Sequence, residues 1–171
     1  MERSSASFSW HEMTRSTTAR REGLSNVPNQ DEAESIRALC AEVLQPLRDV
    51  VVQRGLAHYI HVNSGFRSMA VNNAVGGVRG SHHMARGGNA AADIEAPGLW
   101  NASLAALVLE LGLPFSELIL EYPSPHDPAA GWVHVSHNRN GNNDGDLFTI
   151  TRQGGKIVRL PGLVAPGMGD A

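Results

Sequence analysis

The period of the hydrophobic pattern changes along this chain, and that change most constrains the fold. In "NQDEAESIRALCAEVLQPLRDVVVQRG" the apolar residues Ile36, Leu39, Cys40, Val43 and Leu47 keep helical spacing. Beyond it, short β-branched and aromatic runs take over: "HYIHV", "NAAADIEA", "ELILEY", "WVHVSH", "LFTIT" and, less clearly, "GKIVRL". Two further helices interrupt them, a short one in "MAVNNAVGGVRGS" and a long one in "LWNASLAALVLELG". Helices first and hairpin-like strands later predict the α+β class. With 171 residues, 42% of them hydrophobic, one core can be built. There is no internal repeat or linker, so residues 1–171 read as a single domain with loose ends at 1–8 and 164–171.

Punctuation residues refine this. Ser9 followed by Glu12 is a capping-box pattern for a short helix in "SWHEMTRSTTARREG". Gly23 and Pro28 mark a loop. Asn29 or Asp31 caps the long helix, Pro46 kinks or splits it, and Gly55 stops it. The tail from Pro161, rich in Gly and Pro, reads as irregular.

Composition excludes several classes. A net charge of −3 with no basic stripe argues against nucleic acid or an anionic membrane as partner. The longest apolar run, "LAALVLELGL", is too short to span a bilayer. "MERSSASFSW" has no apolar signal-peptide core, so synthesis in the cytoplasm is expected, with any action on the outside needing another route. The single cysteine, Cys40, forms no intrachain disulfide and reads as core. Any metal must therefore be held by His, Asp or Glu.

The candidate ligands lie in "GSHHMARGGNAAADIEA" and "EYPSPHDPAAGWVHVSHN". A catalytic zinc takes three protein ligands and keeps one position open. His83 and Asp93 are close in sequence, and His134 lies on a later strand. In "GWVHVSH" alternate residues face opposite ways, so His134 and His137 cannot serve one site from a regular strand. His134, between two valines, is the better ligand. Asp93 ends an apolar run where a strand should be buried, and a buried carboxylate needs a cation or donors.

Taken together, the blocks "TRSTTA", "VLQPLR", "SGFRS", "NNAVGG", "SHHM", "AADI" and "WVHVS", in that order, give the chain its likeness. From about Phe8 to Leu163 it resembles the zinc peptidoglycan peptidases of the Hedgehog/DD-peptidase fold. These include D-Ala-D-Ala carboxypeptidases, D,D-dipeptidases and phage L-alanyl-D-glutamate endolysins. The resemblance implies helices packed on a small antiparallel sheet carrying a zinc site. It implies His83, Asp93 and His134 as Zn2+ ligands, with His83 preferred to His82 because it precedes Met84. It matches Arg67 to an arginine that holds a substrate carboxylate or carbonyl, with Ser81 also placed on the substrate side. Glu121, ending "LILEY", matches the general base, with Asp127 as the alternative. His61 is expected to support the site from the first strand, His126 lies in a loop expected to border the cleft, and His11 and His58 read as incidental.

The chain departs from the pattern twice. Ten residues separate His83 from Asp93, where seven are usual, as if three were inserted in "ARGGNA"; a glycine-rich surface turn that leaves Asp93 in place is expected. Several branches also carry an acid three residues before the last histidine, and Gly131 stands there. The implied activity is a metallopeptidase acting on peptidoglycan stem peptides or cross-links, D-Ala-D-Ala carboxypeptidase-like or L-Ala-D-Glu endopeptidase-like, as a monomer. A phage or prophage endolysin, released at lysis or carried in the virion, is the expected setting. The alternative is a non-catalytic, zinc-stabilised module that binds peptide or murein, to which Gly131 lends support.

Overall fold

A computed structural model of the chain describes residues 4–164. The helices are α1 (Trp10–Thr14), α2 (Thr17–Glu22), α3 (Gln30–Leu39), α4 (Gln45–Gln53), α5 (Met69–Ala74) and α6 (Asn101–Glu110). The strands are β1 (His61–Ser64), β2 (Asn89–Glu95), β3 (Glu117–Glu121), β4 (Trp132–Asn138), β5 (Asp146–Gln153) and β6 (Lys156–Pro161). They form one sheet in the order β1-β2-β4-β3-β5-β6, antiparallel except where β3 lies parallel to β5. The α+β expectation holds, and the architecture is that of helices on a mainly antiparallel sheet.

Strand register assigns the two sheet faces. Val62 pairs with Ile94, Ile94 with Val133, and Val133 with Leu120. These residues, with Ala90, Ala92, Val135 and Leu118, are buried in one core with Ile36, Leu39, Leu44 and Leu47 from the long helix and Leu104 and Val108 from α6. On the opposite face Asp93 pairs with His134, and His134 with Ile119. Period two thus sends valines to the helical layer and Asp93 and His134 to the other side.

The long helix begins with a capping box, in which the Asn29 side chain accepts from Glu32 N and the Glu32 carboxylate accepts from Asn29 N. As Pro46 suggests, it is divided, into α3 and α4, and between them Cys40–Leu44 form a π turn in which Gln45 N donates to Cys40 O. Pro46 has no N–H for a helical bond, and the wider turn takes up the missing donor.

Four expectations are corrected. The first helical segment is two helices, each with its own serine cap, because Ser9 accepts from Glu12 N and Ser16 from Ala19 N. Residues 4–8 are tied down: Ser4 N and Oγ both donate to Phe8 O, and Phe8 is only 1% exposed. The first strand starts at His61 and not within "HYI", and Tyr59 is exposed. Pro161 still belongs to β6, and the tail beyond residue 164 lies outside the described residues.

Candidate metal centre

Each candidate ligand is delivered by a different element. His83 sits on the 3-10 turn His82–Met84, which Ala85 ends with φ 55°. Asp93 comes from β2 and His134 from β4, directly opposite in register. All three are buried, and their ligand atoms converge. His83 Nε2 lies 3.2 Å from Asp93 Oδ1 and 3.2 Å from His134 Nδ1, and His134 Nδ1 lies 3.0 Å from Asp93 Oδ1. Two ligands of a tetrahedral zinc at ordinary bond lengths stand about 3.3 Å apart. The spacing fits.

The protonation chemistry fits too. His83 Nδ1 is 2.7 Å from Gly65 O. A carbonyl only accepts, so Nδ1 carries the hydrogen and Nε2 turns a bare lone pair toward a carboxylate oxygen. His134 Nε2 is buried with no hydrogen bond closed, and Glu117 Oε2 stands 3.6 Å from it. With the His134 hydrogen on that nitrogen, three acceptor atoms face one point, an arrangement that needs a cation. Burial alone pulls the His134 pKa down, but the hydrogen bond with Asp93 and the nearby Glu117 carboxylate carry it up to about 9. Without a metal, the cluster draws in a proton. Burial lowers the His83 pKa, whereas Asp93 is held below the usual carboxylate range by the two histidines despite its own burial. His83, Asp93 and His134 could thus hold a metal ion.

Arg67 is positioned by the loop "SGFRS". Gly65 lies so close to α1 that a Cβ there would sit 2.3 Å from Met13 O. Phe66 N donates to Met13 O, and the Asn26 amide bridges Thr14 O and Phe66 O while accepting from Ser68 N. Arg67 N donates to His83 O, tying the loop to the histidine turn. The guanidinium donates from Nε to Ser64 Oγ and from Nη2 to Asp93 Oδ2, at 3.1 and 3.0 Å. Its observed contact is therefore with the far oxygen of Asp93, which leaves Oδ1 for the cluster.

Glu121 lies on the same face of β3 as Ile119, which pairs with His134. It is half-buried, and its pKa is raised by burial and then by the charge of Asp93. Trp132 Nε1, beside it, is buried with no closed hydrogen bond. Asp127 is exposed, and its carboxylate accepts from Ala129 N within its own loop. His126 is exposed in that loop. Ser81 is half-buried, with its side chain making no cap bond to the histidine turn.

Gly131 has a steric reason of its own. It adopts φ 70°, and a Cβ would fall 1.8 Å from Glu121 O. No acid fits there, because any side chain would collide with the backbone that ends β3.

The glycine turn is less free than expected. Gly87 and Gly88 do take positive φ, and Asp93 stays in the cluster. But Gly88 is buried, and Arg139 N donates to its carbonyl. The Asn138 and Asn140 amides both donate to Gly87 O. The turn is docked on the connection after β4.

Glu117 escaped sequence reasoning. It shares the metal-site face of β3 and stands 3.0 Å from His82 Nδ1 as well as beside His134 Nε2. The His134 and His82 rings beside it hold its pKa well below the usual carboxylate range. The alternation of "ELILEY", which puts Glu117, Ile119 and Glu121 on one face, was the available signal. His137 faces the other way, fully buried, with Nε2 3.3 Å from Glu42 on the π turn.

A buried His–Asp–His cluster on the open face of an α+β sheet defines the class as a candidate metalloenzyme. The family profile described as Peptidase M15 matches residues 6–120, and the chain belongs to that family of metallopeptidases. The match includes His83, Asp93 and Arg67 and ends before Glu121 and His134. A search of curated proteins finds no match.

Proposed function

We propose that this chain is a zinc peptidase that hydrolyses peptide bonds in the stem peptides or cross-links of bacterial peptidoglycan. The observation that carries the reading is the convergence of His83 Nε2, Asp93 Oδ1 and His134 Nδ1 at 3.0–3.2 Å in a member of the Peptidase M15 family. Bound zinc would lower the pKa of water toward neutrality and polarise the scissile carbonyl. Glu121 takes the proton from the attacking water and returns it to the leaving amine, a role that suits a half-buried carboxylate with a raised pKa. Arg67 fixes Asp93 through Oδ2 and has guanidinium donors left to orient the peptide or meet developing negative charge. Ser81, near the histidine turn in sequence, lies on the substrate side in this reading. The order of the seven sequence blocks supports a cell-wall hydrolase of this kind.

The non-catalytic alternative drew on Gly131, and the contact with Glu121 O now accounts for that residue. The test is release of muropeptides from purified murein, read by mass spectrometry with and without chelator. Zinc-dependent cleavage supports the peptidase and identifies the bond. Zinc binding with no cleavage of any murein supports the binding module.

A further inference from the structure

Trp132 Nε1 is a buried donor with no acceptor closed on it. A buried N–H left unpaired costs free energy and needs a physical account. The residue as a whole is half-buried, but the nitrogen is shut off from solvent, so its partner has to come from within the fold. Trp132 stands directly opposite Glu121 across the β3–β4 pair. It lies two residues before His134, so both side chains leave the sheet on the metal-site face, where opposed Cβ atoms are about 4.5–5.5 Å apart. The Glu121 carboxylate is the acceptor within reach. Burial and then the charge of Asp93 raise the Glu121 pKa, while His134, the Trp132 indole and the Arg67 charge oppose the rise.

The backbone beside Glu121 is strained and held from several sides. Among the described residues only Ala85, after the His83 turn, and Tyr122, next to Glu121, are non-glycine residues at positive φ. Tyr122 takes φ 50°. Such strain persists only where the surroundings enforce it, and it gathers at functional sites. Tyr122 N donates to Ile150 O at 2.7 Å, its ring rests against Trp132 with centroids 5.7 Å apart, and the Arg152 guanidinium lies over it. Tyr122 thus fixes the indole from one side and leaves its nitrogen for Glu121.

We propose that Trp132 is a positioning residue for the general base: its indole N–H holds one oxygen of the Glu121 carboxylate and leaves the other free to take the proton. The proposal rests on the peptidase reading and deepens it. An indole nitrogen only donates, so the oxygen it holds stays an acceptor. The proton from the attacking water then goes onto the free oxygen and leaves from there to the amine. Without the indole the carboxylate turns about its broad last torsion, and the two oxygens exchange places.

Trp132→Phe keeps an aromatic ring against Tyr122 and removes the donor. In the zinc-loaded full chain, kcat on a stem peptide should fall on the order of tenfold, a fraction of what general-base catalysis supplies, with KM and zinc content unchanged. The acid limb of the kcat/KM profile should move to higher pH, since loss of a donor raises a carboxylate pKa. Added to Glu121→Gln, the same change should cost little more, because the group it positions is already disabled. An unchanged kcat, an unmoved acid limb or an equal loss in both backgrounds overturns the proposal. The indole N–H resonance of Trp132, assigned through Val133 in the zinc-loaded protein, gives an independent reading. In Glu121→Leu it should shift upfield and exchange faster with solvent, and an unmoved signal overturns the proposal even where Trp132→Phe does not fold. If the wild type cuts no stem peptide, the peptidase reading fails, and that resonance alone decides whether the indole holds Glu121.

Discussion

At the residue scale, the two glutamates of β3 can be tested separately. Glu121→Gln keeps the shape and removes the basicity, so murein hydrolysis should fall by about 10²–10⁴-fold with zinc content unchanged. Near-normal activity in that variant, with Asp127→Asn inactive, would move the role to the loop. Glu117→Gln should instead weaken zinc binding, by about 10–100-fold in a competition titration with a chelator, because a carboxylate that orients a ligand histidine sets its tautomer. Unchanged affinity would remove Glu117 from the site. Gly131→Ala should be poorly tolerated, costing about 1–3 kcal/mol or failing to fold, since its Cβ overlaps Glu121 O. Denaturant unfolding measures it. Asp93 and His134 were legible because polar residues stood in runs that had to be buried. Glu117 was not, because an acid at a strand end looks the same whether it faces solvent or a histidine.

At the element scale, the strands and the long helix were legible from their periods, and their junctions were not. Ser16 gives no sign from sequence alone that it caps a second helix, because the helical run passes through it without an apolar break. The π turn was equally hidden: Pro46 signals a lost hydrogen bond, but the surrounding packing decides whether the chain breaks or widens. That turn buries Cys40 completely, and burial pushes its thiol up to about 12. Cys40 should therefore resist thiol reagents in the native protein and react only on unfolding. Rapid labelling under native conditions would show that the turn opens. The glycine turn before β2 was expected to loop out freely. It is instead docked on Asn138 and Asn140. Deleting residues 86–88 should lower stability, and a variant as stable as the wild type would show the docking to be incidental.

On the scale of the whole molecule, one sheet separates two tasks. Its helical face supplies the core, and its other face gathers Asp93, His134, Glu117 and Glu121 from strands β2, β4 and β3. Those strands are brought together by long-range pairing, so the site cannot form before the sheet does, and metal binding should be coupled to folding. Which strands would be neighbours was not legible, because the order β1-β2-β4-β3-β5-β6 includes a crossover and a parallel pair. Single-residue patterns report faces and say little of partners. In the proposed enzyme His83, Asp93 and His134 hold one zinc. A crystal structure of zinc-loaded protein with anomalous data at the zinc edge tests it most directly. One peak per chain is expected, about 2.0–2.2 Å from His83 Nε2, Asp93 Oδ1 and His134 Nδ1. A peak bound through His82 or His137, or no peak at this cluster in zinc-saturated crystals, would contradict it.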